Sequence, residues 1–208
     1  CKYSFVFFKN TLFNPNMTYC VGIKVNNGMV FASDRRTNAG LDNFNSYTKM
    51  YVHKGVDRNI VILTSGNLAT SQAVFNSIGK DLEDPTNGNN LNNLYNMNEI
   101  AKYIGRLTVM HSSPDGFNQE MVELGSTFIL GGHIQSQEQE LYLIYPQGNF
   151  IKTSETKPYL VIGEIKYGKP ILDRVVKSET DLGDATRCAL ISMDSTMKAD
   201  LSVGPPID

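Results

Sequence analysis

Between residues 17 and 40, bulky apolar side chains alternate with small or polar ones, and the alternation breaks once, at residues 26–28. This pattern predicts a β-hairpin. A three-residue loop over 26–28, with its glycine left-handed, would set Cys20 opposite Asp34 and place Thr18 on the same face as that aspartate. A two-residue turn at residues 27 and 28 would instead place Thr18 and Asp34 on opposite faces of the hairpin. We favour the first register because it leaves one face consistently bulky and apolar.

Beyond the hairpin, apolar residues first alternate as in strands and then recur at helical spacing, and this order occurs twice. An asparagine-rich loop separates the first two helices, over 84–98. The predicted strands are 47–53, 59–64, 128–130 (ended by Gly131-Gly132), 141–145 and 160–162, and the predicted helices are 68–81, 100–111, 169–177 and 182–196. The pattern alone therefore predicts an α+β domain built in layers.

Composition narrows the class of protein. The chain has 208 residues, of which 41% are hydrophobic and 19% charged, with a net charge of −2, so we expect one domain with no nucleic-acid or anionic-membrane partner. No run approaches the ~18 apolar residues of a membrane span. The cysteines are few and scattered, which is typical of a reducing, cytoplasmic environment, and we expect Cys20 to be a small buried residue. The three histidines lack metal-ligand spacing, so we expect no metal.

Thr18 is the candidate nucleophile because it follows Met17. An initiator methionine is removed when the next residue is small, so translation starting at Met17 would leave Thr18 at the mature N-terminus. Its α-amine, with a reference pKa of roughly 7.7–8.0, could then accept the proton of its own hydroxyl group. A threonine at the start of a strand is usually only a strand former, and its position after Met17 is what singles it out.

Several segments in the same order carry a family resemblance: 18–40, Tyr47-Thr48-Lys49-Met50, Leu63-Thr64-Ser65-Gly66 and 162–174. Together they resemble the proteasome β-subunit and HslV family of N-terminal nucleophile hydrolases, and within it most strongly the bacterial branch called Anbu, the ancestral β-subunit. The resemblance runs from Met17 to the last residue. It implies a four-layer αββα sandwich, the N-terminal nucleophile hydrolase fold.

The resemblance also implies roles for individual residues. Thr18 would be the catalytic nucleophile, with Lys49 projecting toward it and Asp34 pairing with that lysine. The N–H of Gly66 would stabilise the oxyanion. No cofactor is implied.

Two positions depart from the proteasome pattern. Glu164 stands where β-subunits carry a serine, and its carboxylate could hold Lys49 or the Thr18 ammonium. The segment from Asp200 to Gly204 resembles an Asp-x-x-Ser-Gly motif, but valine occupies the serine position. We expect Glu164 and Asp200 to have supporting roles.

The ends of the chain do not follow the domain pattern. We expect residues 1–16 to be a non-native upstream extension, since family propeptides place glycine, not methionine, before the nucleophile; a propeptide is the alternative. Residues 17–208 should form a single proteasome-type peptidase domain that is truncated at its C-terminus, which would leave a sheet edge unpaired.

The resulting expectation is a cytoplasmic, threonine-type endopeptidase. It would cleave peptides or unfolded proteins inside a self-assembled ring or spiral. The sequence does not identify an ATPase partner. The alternatives are a non-catalytic assembly or peptide-binding subunit, which retention of Met17 would produce, and an N-terminal nucleophile amidase for a small substrate.

Overall fold

The computed structural model describes residues 18–38, 44–112 and 124–208. In chain order its elements are β1 (Tyr19–Val25), β2 (Gly28–Ser33), β3 (Arg36–Asn38), β4 (Phe44–Ser46), β5 (Met50–Lys54), β6 (Arg58–Gly66), α1 (Leu68–Glu83), α2 (Met97–Ser112), β7 (Ser126–Ile134), β8 (Glu140–Ile144), β9 (Phe150–Lys152), β10 (Tyr159–Gly163), α3 (Lys169–Val175) and α4 (Leu182–Ala199). None of these helices is long and apolar enough to cross a membrane.

Two antiparallel sheets lie face to face between two pairs of helices. One sheet has the strand order β10-β1-β2 and the other β5-β6-β7-β8-β9, while β3 and β4 form a separate pair. Three apolar clusters fill the spaces between layers. The first cluster, which includes Ile62 and Ile104, lies between the five-stranded sheet and the helices α1 and α2. The second, which includes Val21 and Met193, lies between the three-stranded sheet and the helices α3 and α4. Between the sheets lies a third cluster: Cys20, Leu63, Ile129, Leu141 and Ile162. The predicted αββα sandwich is confirmed.

Most predicted elements are confirmed, with two kinds of error. The short strands β3, β4 and β9 were not predicted. The end of a strand at Gly131-Gly132 was also wrong, because β7 continues through both glycines to Ile134. A Cβ at Gly131 would lie 2.5 Å from Phe31 Cζ of the facing sheet, so this glycine serves the packing between sheets.

The hairpin is confirmed, but its predicted register is wrong. Val25 pairs with Gly28 and Cys20 with Ser33, so the turn consists of the two asparagines, 26 and 27, and matches neither register considered. Past this register, Asp34 N–H donates to Tyr19 O at 3.2 Å and Asp34 Oδ1 accepts from Tyr19 N–H at 2.9 Å, so Asp34 lies beside Tyr19 and not opposite Cys20. A Cβ at Gly28 would lie 3.0 Å from the two methyl carbons of Leu182 in α4, so a larger residue there would require this side chain to shift.

The last residues of the chain lie along the end of β2. Ser33 N–H donates to Asp208 O at 3.1 Å, and Asp208 N–H donates back to Ser33 O at 2.9 Å. Arg35 N–H donates to Pro206 O at 2.8 Å, and the Arg35 and Asp208 side chains form an ion pair. These contacts attach residues 206–208 to the end of β2.

Candidate active site

Thr18 lies immediately before β1, the central strand of its sheet. Thr18 lies on the same face of the chain as Cys20, whose side chain packs between the two sheets. Only 5% of Thr18 is exposed. Thr18 O accepts a hydrogen bond from Glu164 N–H at 2.8 Å, while the next residue, Tyr19, pairs with Gly163 of β10. The backbone around Thr18 is thus fixed by the end of β10.

A buried ion pair lies beside this backbone. Lys49 Nζ donates to Asp34 Oδ1 at 2.8 Å and to Arg36 O at 2.6 Å. The same carboxylate oxygen accepts from Tyr19 N–H at 2.9 Å, and the other lies 3.4 Å from the N–H of Gly204. Asp34 therefore connects the Lys49 ammonium directly to the residue that follows Thr18.

Both members of the pair are withdrawn from water, since Asp34 is 0% and Lys49 5% exposed. Burial raises the pKa of Asp34, whereas the Lys49 ammonium and the N–H groups of Tyr19 and Gly204 act in the opposite direction. A buried charge of either sign would be costly alone. Each therefore fixes the position of the other.

Cys20 is the other nucleophilic side chain near Thr18. It is fully buried, as predicted, and its Sγ donates to Thr64 O at 3.5 Å. Burial raises the pKa of the Cys20 thiol well above its ordinary value. The neutral thiol is therefore the form present near neutral pH, and it is a weak nucleophile.

Two glycines with positive φ end strands of the two sheets. Gly66 ends β6 with φ 108°, and Gly163 ends β10 with φ 91°. A Cβ at Gly66 would lie 2.5 Å from Gly125 O, and one at Gly163 would overlap Thr18 O and lie 3.3 Å from Thr18 Cγ2. Both positions therefore need glycine for conformation and for space.

Glu164 and Asp200 make local side-chain contacts. The carboxylate of Glu164, which is 6% exposed, accepts from Lys166 N–H at 2.8 Å, and its second oxygen lies 3.8 Å from Lys166 Nζ. Asp200 Oδ1 accepts from the N–H and the hydroxyl group of Ser202 at 2.8 and 2.6 Å. The segment that contains Asp200 reaches the ion pair through the backbone of Gly204.

The sequence analysis therefore missed the main-chain part of the site. The carbonyl of Arg36 and the N–H groups of Tyr19 and Gly204 contact Lys49 or Asp34. Every residue except proline carries both groups, so no side-chain pattern could have indicated them.

A pocket of about 460 Å³ opens between the ends of the two sheets, and both Gly66 and Gly163 line it. Its volume is within the range of small-molecule and side-chain pockets. Within 18–38, 44–112 and 124–208, no three residues among His, Cys, Asp and Glu form a cluster that could hold a metal ion.

The sequence model of the family described as proteasome subunit matches residues 16–208. The chain belongs to the proteasome subunit family. Among solved structures it is similar to Anbu, the ancestral β-subunit, from Yersinia bercovieri, at 41% identity and a TM-score of 0.86, covering 92% of this chain and 79% of that one. A helical assembly of the Anbu complex from Pseudomonas aeruginosa matches at 42% identity and the same TM-score and coverage.

The chain is also similar, over part of its length, to a curated proteasome subunit. Proteasome subunit beta 1 of Saccharolobus islandicus is 34% identical over 86 residues, which is 41% of this chain and 34% of the relative. The matched stretch thus spans about a third of that relative's length.

Proposed function

We propose that this protein is a threonine-type endopeptidase whose nucleophile is Thr18. The observation that carries the proposal is the buried Lys49–Asp34 pair, because its carboxylate also accepts the N–H of Tyr19, the residue after the nucleophile. The charged pair and the nucleophile are thereby parts of one hydrogen-bonded unit.

In the proposed reaction, Thr18 Oγ attacks the carbonyl carbon of the scissile peptide bond while the Thr18 α-amine accepts the hydroxyl proton. The N–H of Gly66 stabilises the oxyanion. The amine then gives the proton to the leaving nitrogen, and the C–N bond breaks to leave an ester on Thr18. Water, deprotonated by the same amine, hydrolyses this ester and restores the hydroxyl group.

Lys49 has an electrostatic role in this proposal. A buried cation near the α-amine disfavours the ammonium form and so keeps the base neutral. Asp34 compensates the charge of Lys49, which would otherwise be costly to bury. Glu164 supports the site through its backbone, which fixes Thr18 O.

The amine is available only if Thr18 is the first residue. A peptide-bonded nitrogen has no basic lone pair, and in the sequence Met17 precedes Thr18. The proposal therefore includes removal of Met17 and everything before it. We further propose a cytoplasmic particle formed by self-association, in keeping with the helical assembly of the Pseudomonas aeruginosa relative, acting on peptides or unfolded proteins.

The test measures both reactive groups of Thr18 in the full-length, assembled gene product. Edman sequencing should begin at Thr18. A peptide epoxyketone should then add the mass of one inhibitor per subunit, because it needs the hydroxyl group and the neighbouring free amine. Thr18→Ala should add none, whereas the matched control Thr18→Ser, which keeps a hydroxyl group, should still be labelled.

Two results would contradict the proposal. An active protein that still begins at Met17 or earlier would exclude this mechanism. An assembled protein with a free Thr18 that neither takes up the epoxyketone nor cleaves any of a varied panel of fluorogenic peptides would instead be a non-catalytic subunit.

A further inference from the structure

Three buried hydroxyl groups lie next to the turn that joins β6 to α1. They belong to Thr64, Ser71 and Ser126, which are 3%, 2% and 0% exposed. Thr64 Oγ1 and Ser71 Oγ are 2.7 Å apart, and Ser71 Oγ lies 3.1 Å from Ser126 Oγ. The three side chains come from β6, α1 and β7, and we call them the hydroxyl cluster.

The hydroxyl cluster converges on one carbonyl group, that of Asn67. Ser126 Oγ donates to Asn67 O at 2.8 Å, and Ser71 Oγ donates to the same oxygen at 3.0 Å. Because a serine has only one hydroxyl hydrogen, Thr64 Oγ1 is then the donor to Ser71 Oγ. Asn67 is the N-cap of α1, and its carbonyl also accepts the N–H of Ser71 at 3.1 Å. That last bond is the one that begins a helix, so the two hydroxyl donors exceed what the helix start requires.

Gly66, the proposed oxyanion donor, directly precedes this anchored residue. The N–H groups of a strand in a sheet point alternately toward its two neighbours. Thr64 N–H donates toward β5, to Lys49 O at 3.0 Å, whereas Asn67 N–H donates toward the start of β7, to Gly125 O at 3.0 Å. The alternation therefore directs Gly66 N–H to the side from which Lys49 comes.

A glycine donor needs support from its surroundings. Glycine has more backbone freedom than any other residue, and Gly66 has φ 108°. A donor stabilises an oxyanion effectively only if it is held in position before the reaction. Asn67 is fixed at both its N–H and its carbonyl group, so it restrains the backbone of the glycine before it.

We propose that the hydroxyl cluster positions the Gly66 N–H for oxyanion stabilisation. Thr64, Ser71 and Ser126 are thus positioning residues, which act through Asn67 and do not touch the substrate. The inference rests on the proposed peptidase function and adds the residues that hold its oxyanion donor in place.

The hydroxyl groups can be removed with little change of shape. Ser126→Ala removes a direct donor to Asn67 O, and Thr64→Val removes a hydroxyl group but keeps the branched side chain. Thr64→Ser keeps the hydroxyl group. The matched control is Thr108→Val, because Thr108 is 0% exposed and its hydroxyl group donates to Ile104 O at 2.8 Å within α2.

Two inhibitors of the same peptide sequence separate positioning from a general loosening of the fold. With a peptide aldehyde, Thr18 Oγ bonds to the aldehyde carbon and the hydroxyl proton passes to the aldehyde oxygen, which takes the place of the oxyanion. The corresponding peptide alcohol has no carbonyl group and forms no such adduct. The ratio of the two inhibition constants therefore reports the oxyanion site alone.

The assay uses full-length protein that begins at Thr18. Ser126→Ala and Thr64→Val should lower kcat about tenfold and raise the inhibition constant of the aldehyde by about the same factor. In the same variants KM and the inhibition constant of the alcohol should stay within about twofold, since neither involves the oxyanion. Thr64→Ser and Thr108→Val should resemble the original protein in all four quantities.

The outcomes separate the positioning role from the proposed function. If the original protein cleaves peptides and takes up the epoxyketone, but the aldehyde-to-alcohol ratio is unchanged in Ser126→Ala and Thr64→Val, the positioning role is wrong and the peptidase stands. The same conclusion follows if Thr108→Val shifts the ratio as strongly, or if Thr64→Ser shifts it as much as Thr64→Val. If Ser126→Ala does not fold, the two Thr64 variants decide alone. If the original protein neither cleaves any peptide nor takes up the epoxyketone, both proposals are overturned.

Discussion

Lys49 and Arg58 are both buried cations, 5% and 7% exposed, and each is paired with an aspartate. Lys49 binds Asp34, whose carboxylate also accepts the N–H of Tyr19, the residue after the proposed nucleophile Thr18. Arg58 binds Asp57, the preceding residue, through Nε and Nη2. The two cations are similarly buried, but the carboxylates differ: Asp34 is fully buried and contacts backbone beside Thr18, whereas the Asp57 side chain is 42% exposed.

The Arg58 cluster holds a loop. Arg58 starts β6, and its Nη1 donates to Leu91 O at 3.0 Å and to Leu94 O at 2.7 Å. These carbonyls belong to the asparagine-rich segment between α1 and α2. Arg58 therefore supplies partners for a loop with no regular backbone pairing of its own.

The comparison shows that a buried, paired cation does not by itself indicate a catalytic site. Structural ion pairs also bury charge. What distinguishes Lys49 is that its partner is hydrogen-bonded to the backbone that positions Thr18. Substitutions in the two clusters should accordingly affect different measurements.

The largest expected effect is the loss of turnover in Lys49→Ala and in Asp34→Ala. Each should lower kcat/KM by about 10²–10⁴-fold, the range for a positioned group that acts on proton transfer. Because the two residues act as a unit, the double variant should be little worse than either single one. The measurement is fluorogenic peptide cleavage by protein that begins at Thr18.

The free energy of unfolding must be measured in parallel, since removing one partner of a buried pair can cost ~3–5 kcal/mol. Asp34→Asn is the matched control for volume, because it keeps the shape of the side chain and removes its charge. Losses that add in the double variant would mean that Lys49 and Asp34 act independently, and the distinction from the Arg58 cluster would then fail.

The layers and the four helices were predictable because hydrophobic periodicity follows from burial on one face of each element. One of the errors has a clear packing cause. Gly131 was interpreted as a strand end, but it makes room for Phe31, a side chain distant in sequence. Local sequence does not distinguish a glycine that turns the chain from one that admits a neighbour.

The candidate site was predictable only as a set of side chains. Family resemblance placed Thr18, Asp34 and Lys49, and the structure brings the latter two within 2.8 Å of each other. The register expected from the hairpin was nevertheless wrong, since Cys20 pairs with Ser33 and Asp34 contacts the backbone of Tyr19. Side-chain alternation cannot reveal contacts to backbone groups.

The second expected effect is on stability. Arg58→Ala should lower the free energy of unfolding by about 3 kcal/mol, because it leaves the carbonyls of Leu91 and Leu94 without a buried donor. Turnover per folded molecule should not change. Urea unfolding gives the first quantity and epoxyketone titration of active sites the second.

Arg58→Lys is the matched control. Lysine keeps the charge, but its single ammonium group cannot contact both carbonyls and Asp57 at once, as the planar guanidinium group of Arg58 does. The loss of stability in this variant should therefore be intermediate. If Arg58→Ala lowered turnover per labelled site as strongly as Lys49→Ala, the two clusters would not be separable in function.

The smallest expected effect is that of Asp57→Asn. Asp57 is exposed over 42% of its side chain, so water and salt screen its attraction to Arg58, in contrast to Asp34, which is fully buried.

The Arg58 hydrogen bond lowers the pKa of Asp57. A lowered pKa means that the stabilisation is present above the ordinary pKa of an aspartate and is lost as the pH falls through the lowered value. The original protein and Asp57→Asn should therefore differ slightly in urea midpoint at pH 7 and converge in acid, and 1 M salt should also reduce the difference. A loss at pH 7 as large as that of Arg58→Ala, insensitive to salt, would show that Asp57 is as essential to its cluster as Asp34 is proposed to be to the candidate active site.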